Sequence, residues 1–429
     1  MNKENVGYAT VLGNRNFLIL WSNQIIQQLS FGLLNFTLVI LVNKLTGSTL
    51  ATASVVFSLG LPALLFGMFA GVAADTFDRR SIIKSANLGM AAGVLLLLFA
   101  KERVALILLL GFLVSLVNQF FMPAESASIP MLVRKEELIT ANSLFAISFF
   151  SSQILGLTAA GPIILLAGHQ IIFQIAAISL LFAFFLVWFL PSLVPAGKIN
   201  LKLKLADIGF YLLKAFEQAL ARIAAGLKFI ASNNKIARGV FNIALVEGLL
   251  VILLVLSPTF VRKTLGVEPE TISFLVIPPA GLGFAGTAYL VGKFGRNFKK
   301  ELLSSIGILG EGATILFISI IPKLLAIFGQ ILSSTILLAI AGFFVGSFAV
   351  LVTVTSRTLL QEEVPQDLLG RVFSVLTILT VIGATLPILV ASALADFFGV
   401  EIVMGLVGVF VFGVGLLSIR PVFHKPTRK

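Results

Sequence analysis

Twelve separate stretches of about 20 or more mostly apolar residues run along this chain, and no other feature limits its fold so tightly. About 20 apolar residues let a helix cross a hydrocarbon core ~30 Å thick. No water satisfies backbone N–H and C=O groups inside that core, so only helices and closed barrels can span it. Barrel strands need about ten residues of alternating character, and these runs are longer and continuously apolar. Helices are therefore expected at Phe17–Val42, Ala53–Ala74, Ser81–Ala100, Val104–Pro123, Leu138–Ala167, Gln170–Leu190, Gly239–Phe260, Thr271–Val291, Glu301–Ile321, Leu325–Thr355, Leu368–Ala395 and Gly399–Ile419. Spans 5, 10 and 11 are long enough to project beyond the bilayer. Only 12% of the 429 residues are charged, too few to cover a water-soluble body of that size. The expected fold class is an all-α membrane protein with twelve transmembrane helices.

The formal net charge of +12 would suggest nucleic acid for a soluble protein. Here topology explains it, because cytoplasmic loops of membrane proteins carry excess Lys and Arg. Placing the N-terminus inside puts 25 of the 31 basic residues on the cytoplasmic side and leaves Lys44, Lys101, Arg103, Arg262, Lys263 and Lys323 outside. Both termini are then cytoplasmic, and Trp21 and Trp188 fall near the inner interface, where amphipathic rings prefer to sit. The longest polar interruption, Pro191–Arg238, divides the spans six and six. Residues 1–190 and 239–429 are thus expected to form two six-helix bundles, joined by a cytoplasmic segment 191–238. Apolar and basic residues alternate at helical spacing over Tyr211–Ile230, as in a helix lying on the inner leaflet.

Other function classes lose support. There is no cysteine, and the two histidines, His169 and His424, are isolated, so neither a disulfide nor a metal centre is expected. No phosphate-binding loop of the Walker type is present, which removes direct ATP hydrolysis. Membrane enzymes that work on acyl chains want His or paired carboxylates at an interface, and that pattern is missing. No cofactor is expected. The first sixteen residues are mostly polar and the following apolar stretch is too long for a signal-peptide core.

The two halves carry a weak repeat. Ile129-Pro130-Met131-Leu132-Val133 and Glu136-Glu137-Leu138-Ile139 follow span 4; Glu363-Val364-Pro365 and Asp367-Leu368-Leu369 follow span 10. Gly161-Pro162 in span 5 and Pro387 in span 11 lie at comparable depth. Parallel six-span repeats mark transporters built from two pseudo-equivalent bundles. Between spans 2 and 3 stands Gly71-Val72-Ala73-Ala74-Asp75-Thr76-Phe77-Asp78-Arg79-Arg80. Gly67 and Gly71, four apart, would allow a neighbouring helix to approach closely. Asp75 could accept hydrogen bonds from another helix's N-terminus.

This loop resembles the signature of the major facilitator superfamily: Gly, three residues, Asp, then a basic pair. It departs at Thr76 and Asp78, where a basic residue and Gly are usual. The resemblance implies a cytoplasmic latch formed by Gly71, Asp75, Arg79 and Arg80 that favours one state of an alternating-access cycle. The matching loop between spans 8 and 9, Gly292-Lys293-Phe294-Gly295-Arg296, lacks the acid. Pro123 to Pro130 with Ala141-Asn142-Ser143, Gly226-Leu227-Lys228-Phe229-Ile230 with Asn233-Asn234, and Gly370 to Ser374 are similar to bacterial efflux members, a branch that includes macrolide-type drug exporters and the enterobactin exporter. Gly156 and Gly161-Pro162 partly resemble an antiporter motif of helix 5. Leu165-Leu166 stands where a doubled Gly is usual, and the Arg of proton-coupled drug exporters is missing from span 4.

The same resemblance implies that spans 1, 4, 7 and 10 line a central cavity. Span 1 sets Gln24, Gln27, Gln28 and Asn35 along one face, and span 4 sets Ser115, Asn118, Gln119 and Met122. Polar stripes cannot face lipid comfortably, so they meet either substrate or another helix. Glu247 in span 7 and Glu311 in span 9 are carboxylates deep in the bilayer, where an ionised group costs about 3 kcal/mol or more. Both are candidates for proton coupling, and Glu247 also for substrate contact. Glu125 and Arg357, expected at the cytoplasmic ends of spans 4 and 10, are candidates for a gate. The expected activity is secondary transport in a bacterial inner membrane: a monomer in lipid, exporting an amphipathic, macrolide-type small molecule, with protons as the expected driving ion. Siderophore or lysophospholipid export is the alternative within transport. A sensor or scaffold that kept the fold is the alternative outside it.

Overall fold

The computed structural model describes residues 8–100, 102–195, 224–328 and 333–423. Among them there is no strand, and twelve helices are long and apolar enough to cross a membrane. They are α1 (Arg15–Thr46), α2 (Thr49–Thr76), α3 (Arg79–Ala100), α4 (Val104–Leu132), α5 (Leu138–Ala167), α6 (His169–Val187), α7 (Asn234–Thr264), α8 (Ile277–Phe294), α9 (Lys300–Phe328), α10 (Ser334–Glu363), α11 (Gln366–Phe398) and α12 (Val400–Phe423). Gly47, Gly168, Gly266 and Gly399 turn the chain with positive φ, a conformation that glycine adopts without strain. Most of the segment expected to form the amphipathic surface helix lies outside the described residues; 224–232 is helical.

Three expected boundaries move, each for a local reason. α4 continues past Pro123 and Pro130 to Leu132, because neighbouring groups can re-satisfy the carbonyls that proline frees in a packed membrane helix. Glu125 and Arg357 therefore do not end their helices; each sits about two turns inside. Leu325–Phe328 complete α9, and α10 starts at Ser334, since hydropathy gives no weight to the turn signals Gly329 and Ser333. The expected span 8 divides into a turn at Pro269–Thr271, a short helix Ile272–Leu275, and α8 beyond Val276. Pro278 and Pro279 occupy the first turn of α8, where missing N–H groups cost nothing, while the residue before a proline is pushed away from helical angles.

The chain forms two compact units, Met1–Leu45 with Ser54–Glu217, and Thr46–Ala53 with Gln218–Lys429. In the first unit α3 packs on α4 and α6. Gly32 of α1 meets Gly156 of α5 so closely that a methyl on Gly156 would stand 2.6 Å from the Leu29 carbonyl oxygen. The close approach expected at Gly67 and Gly71 is absent: a methyl on either would meet no described atom within 4 Å. In the second unit α9 packs on α10 and α12, and α8 on α10. Val246, Leu249, Ile308, Ile315, Ala349, Val352 and Val411 bury a common apolar cluster there.

Candidate functional site

Amides, hydroxyls and charges inside an apolar body must find partners, and their pairings define the site within each unit. In the first unit the polar face of α1 bonds to its neighbours. Gln27 donates to Asn118 Oδ1 of α4 at 2.6 Å, and Gln24 donates to the Phe145 carbonyl of α5 at 3.1 Å. Ser148 returns a hydrogen bond to Gln24 Oε1 at 2.6 Å and accepts one from Trp21 at 3.0 Å. Asn87 of α3 donates to Asn23 at 2.7 Å. Gln28 and Ser115 are buried, Gln119 is half-buried, and Met122 is exposed. The buried Asn35 Oδ1 and Glu125 Oε1 have no hydrogen-bond partner among the described residues.

The α2–α3 loop is tightly tied. Arg79 donates to the carbonyls of Ala74 (2.9 Å) and Ala127 (2.6 Å), joining the ends of α2 and α4. Its guanidinium lies 3.9 Å from Asp75, whose side chain is 80% exposed. Arg80 donates to the Trp188 carbonyl at 2.6 Å, and the Lys84 ammonium sits 4.5 Å from the Trp188 ring, a cation–π contact. Asp78 accepts from Ser81 N–H (3.2 Å) and Oγ (2.8 Å), and from Leu193 N–H (2.6 Å) and Ser192 Oγ (3.3 Å). Partial burial opposes its ionisation, but these hydrogen bonds outweigh that and hold its carboxyl below the usual carboxylate range.

In the second unit the two candidate charges on α7 and α10 meet: Arg357 Nη2 lies 2.9 Å from Glu247 Oε1, both side chains partly exposed at 51% and 30%. Beside this pair, Asn242 of α7 donates to Ser304 of α9 at 2.9 Å, and Ser304 lies 2.9 Å from Ser356 of α10. The α1–α3 pairing of Asn23 and Asn87 thus has an α7–α9 counterpart. Glu311 is 1% exposed, and neither carboxyl oxygen has a hydrogen-bond partner among the described residues. Two glutamates end α10, where the helix dipole disfavours negative charge; Lys235 pairs with Glu363 at 3.1 Å, and Lys300 pairs with Glu362. No cluster of metal-ligating groups occurs among the described residues.

Two participants were not picked out from sequence. Asp396, near the end of α11, accepts from Ser48 Oγ (2.6 Å), Thr49 N–H (2.7 Å) and Leu50 N–H (3.0 Å), capping the first turn of α2. Asp78 was visible only as a departure from a family pattern. A helix cap taken from a residue about 350 positions away leaves no local sequence signal.

The family model of the Major Facilitator Superfamily matches residues 20–385. The chain is similar to an uncharacterized MFS-type transporter, YfiS, of Bacillus subtilis (strain 168), at 25% identity over 88% of this chain and 85% of the relative. It is also similar to macrolide efflux protein A of Streptococcus pyogenes, at 23% identity over 90% of each. Among solved structures, the nucleoside transporter NupG superposes with a TM-score of 0.73 at 14% identity, covering 95% of this chain and 99% of that one. A peptide transporter POT in complex with sulfate gives 0.72 at 12% identity, covering 97% and 98%. These structural likenesses carry the fold, and the family match spans most of the chain: it is a membrane transporter belonging to the Major Facilitator Superfamily.

Proposed function

We propose that this transporter exports an amphipathic small molecule of the macrolide type across a bacterial inner membrane by alternating access, in exchange for inward-moving protons. Both termini and the segment between the units face the cytoplasm in this reading. The observation that carries it is the Glu247–Arg357 pair, 2.9 Å apart on α7 and α10 with both groups partly open. A carboxylate inside a membrane span needs a counter-charge. A proton on Glu247 releases Arg357, and an amphipathic cation competes with Arg357 for the same carboxylate. One residue thereby alternates between proton and cargo, which is the requirement for exchange. Lysophospholipid and siderophore cargo are outcomes of the test. Efflux by the relative from Streptococcus pyogenes supports the direction.

The amides of Gln24, Gln27, Gln28, Asn35, Asn118 and Gln119 form the polar wall of the cavity in the first unit, where the Gln27–Asn118 bond opens when cargo offers a better partner. Gly71, Asp75, Arg79, Arg80 and Glu125 belong to the inner gate. Glu311 is a second proton-holding group in the C-terminal bundle.

The test uses proteoliposomes with an imposed pH gradient, an internal pH dye and a panel of erythromycin, ethidium, lysophosphatidylethanolamine and enterobactin. Proton movement triggered by one class, and lost in Glu247→Gln, is expected. Cargo flux that Glu247→Gln leaves unchanged in rate and pH dependence excludes the coupling role. Silence of a folded preparation across the panel favours a sensor.

A further inference from the structure

Asp78 stands where the family pattern has glycine, so its carboxyl makes bonds that the usual loop lacks. Its two oxygens divide their work. Oδ2 accepts from Ser81 N–H and Oγ, which is the ordinary cap of α3. Capping leaves the other oxygen free. Oδ1 instead accepts from Leu193 N–H at 2.6 Å and from Ser192 Oγ at 3.3 Å, more than 110 positions along the chain. The Arg79 N–H donates to the Leu193 carbonyl at 3.2 Å. Both backbone polar groups of Leu193 are therefore taken by two consecutive residues of the α2–α3 loop. Leu193 itself is 2% exposed. Three residues after the end of α6, the Leu190 N–H donates to the Val187 carbonyl at 3.1 Å, while Arg80 donates to the Trp188 carbonyl and the Lys84 ammonium sits over the Trp188 ring. From this anchored point the chain continues toward α7.

We propose that Asp78 is a positioning residue that clamps the segment leaving α6 onto the α2–α3 loop, so that the linker to the second unit is held by the loop that latches the transport cycle and moves with it. The proposal rests on the latch reading of that loop. Its physical content is that a charge-assisted bond to a backbone N–H, backed by a second backbone bond, makes two segments one rigid piece. A glycine at this position would leave the linker free of the loop.

The natural absence of cysteine makes the test direct, because a single Gln119→Cys reporter has no competing thiol. Full-length protein in nanodiscs is followed by hydrogen exchange over residues 188–195 and by the alkylation rate of the reporter with a charged maleimide. Neither readout needs the cargo. Asp78→Ala is expected to speed exchange at 188–195 by tenfold or more and to change the reporter's alkylation rate several-fold. Ser81→Ala, which trims only the capping side, is expected to leave both at the parent value. Leu193→Pro removes the N–H while sparing the cap, and is expected to reproduce Asp78→Ala if that variant folds poorly. Unchanged exchange in Asp78→Ala would show that no clamp exists. Faster exchange with an unaltered alkylation rate would show a clamp that positions nothing. An equal effect of Ser81→Ala would assign the role to the cap. If Arg79→Ala with Arg80→Ala alters alkylation and Asp78→Ala does not, only the clamp fails; if neither does, the latch reading fails with it.

Discussion

Replacing Gly156 by alanine tests the packing on which the first unit depends. The new methyl would stand 2.6 Å from the Leu29 carbonyl oxygen, 3.1 Å from Leu33 N and 3.2 Å from the Gly32 Cα. Real contacts of this kind need at least 3.0–3.4 Å, so α1 and α5 must separate by several tenths of an ångström. The obstruction is backbone, which no rotamer change can relieve. Overpacking of this sort costs about 1–3 kcal/mol. For a folding unit of about 200 residues that lowers the melting temperature by roughly 3–10 °C. The same displacement strains the Ser148–Gln24 bond across the crossing. Gly32→Ala presses on the Gln153 carbonyl from the other side at 2.8 Å. Once the helices have parted for one methyl the second has room, so the double variant should cost clearly less than the two single losses added. Gly67→Ala, with nothing described within 4 Å, should stay within about 0.5 kcal/mol. Melting in detergent, followed by size-exclusion fluorescence, reads all four. A Gly156→Ala protein that melts with the parent, or strict additivity with Gly32→Ala, would refute the crossing geometry.

Asp396→Ala removes the three acceptor contacts that cap α2 and should destabilise by about 1 kcal/mol; a melting shift no larger than that of Glu401→Ala, an exposed neighbour on α12, would count against it. Ser304→Ala should cost more than Asn242→Leu, although it is the smaller change. It strands a buried amide, at about 1–3 kcal/mol, whereas the leucine removes the amide itself. Chemical denaturation of the two variants decides the order. Asp78 has a lowered pKa, so its bonds are fully present above the unfolded carboxylate value and are lost as pH falls through the folded one. The protection of the Leu193 amide, its exchange rate relative to the intrinsic rate at each pH, should therefore stay flat from about pH 8 to pH 5 and fall only below about pH 4; a loss of protection near pH 6 would point to another group.

Much of the architecture was legible because lipid makes one demand on every span. Long apolar runs identified all twelve helices, and the boundary errors fell where hydropathy carries no information: at Pro123, between the end of α9 at Phe328 and the start of α10 at Ser334, and at Pro278-Pro279. The resemblance at Gly71 to Arg80 pointed to the family that the whole-chain match then supplied. Individual polar residues were legible as a class. Gln27, Asn118 and Glu247 were visible as groups that cannot face lipid, because an amide or a charge is costly in an apolar medium unless it finds a partner.

Which of them meet was not legible. Glu247 could be weighed as a free carboxylate, yet it stands against Arg357, 110 positions away, through the packing of α7 on α10. Gly71 has the look of a packing glycine, yet a methyl there meets no described atom within 4 Å, while Gly156 and Gly32, 124 positions apart, touch. Asp78 was visible only as a departure from the family pattern and Asp396 not at all, and the tertiary structure makes each an acceptor for a distant backbone. The sequence by itself determined what must leave water and how many helices do so, since both follow from transfer free energies summed along the chain. Only the tertiary structure decided the pairings, since a hydrogen bond or a helix crossing depends on separations of a few tenths of an ångström between residues that no local pattern relates.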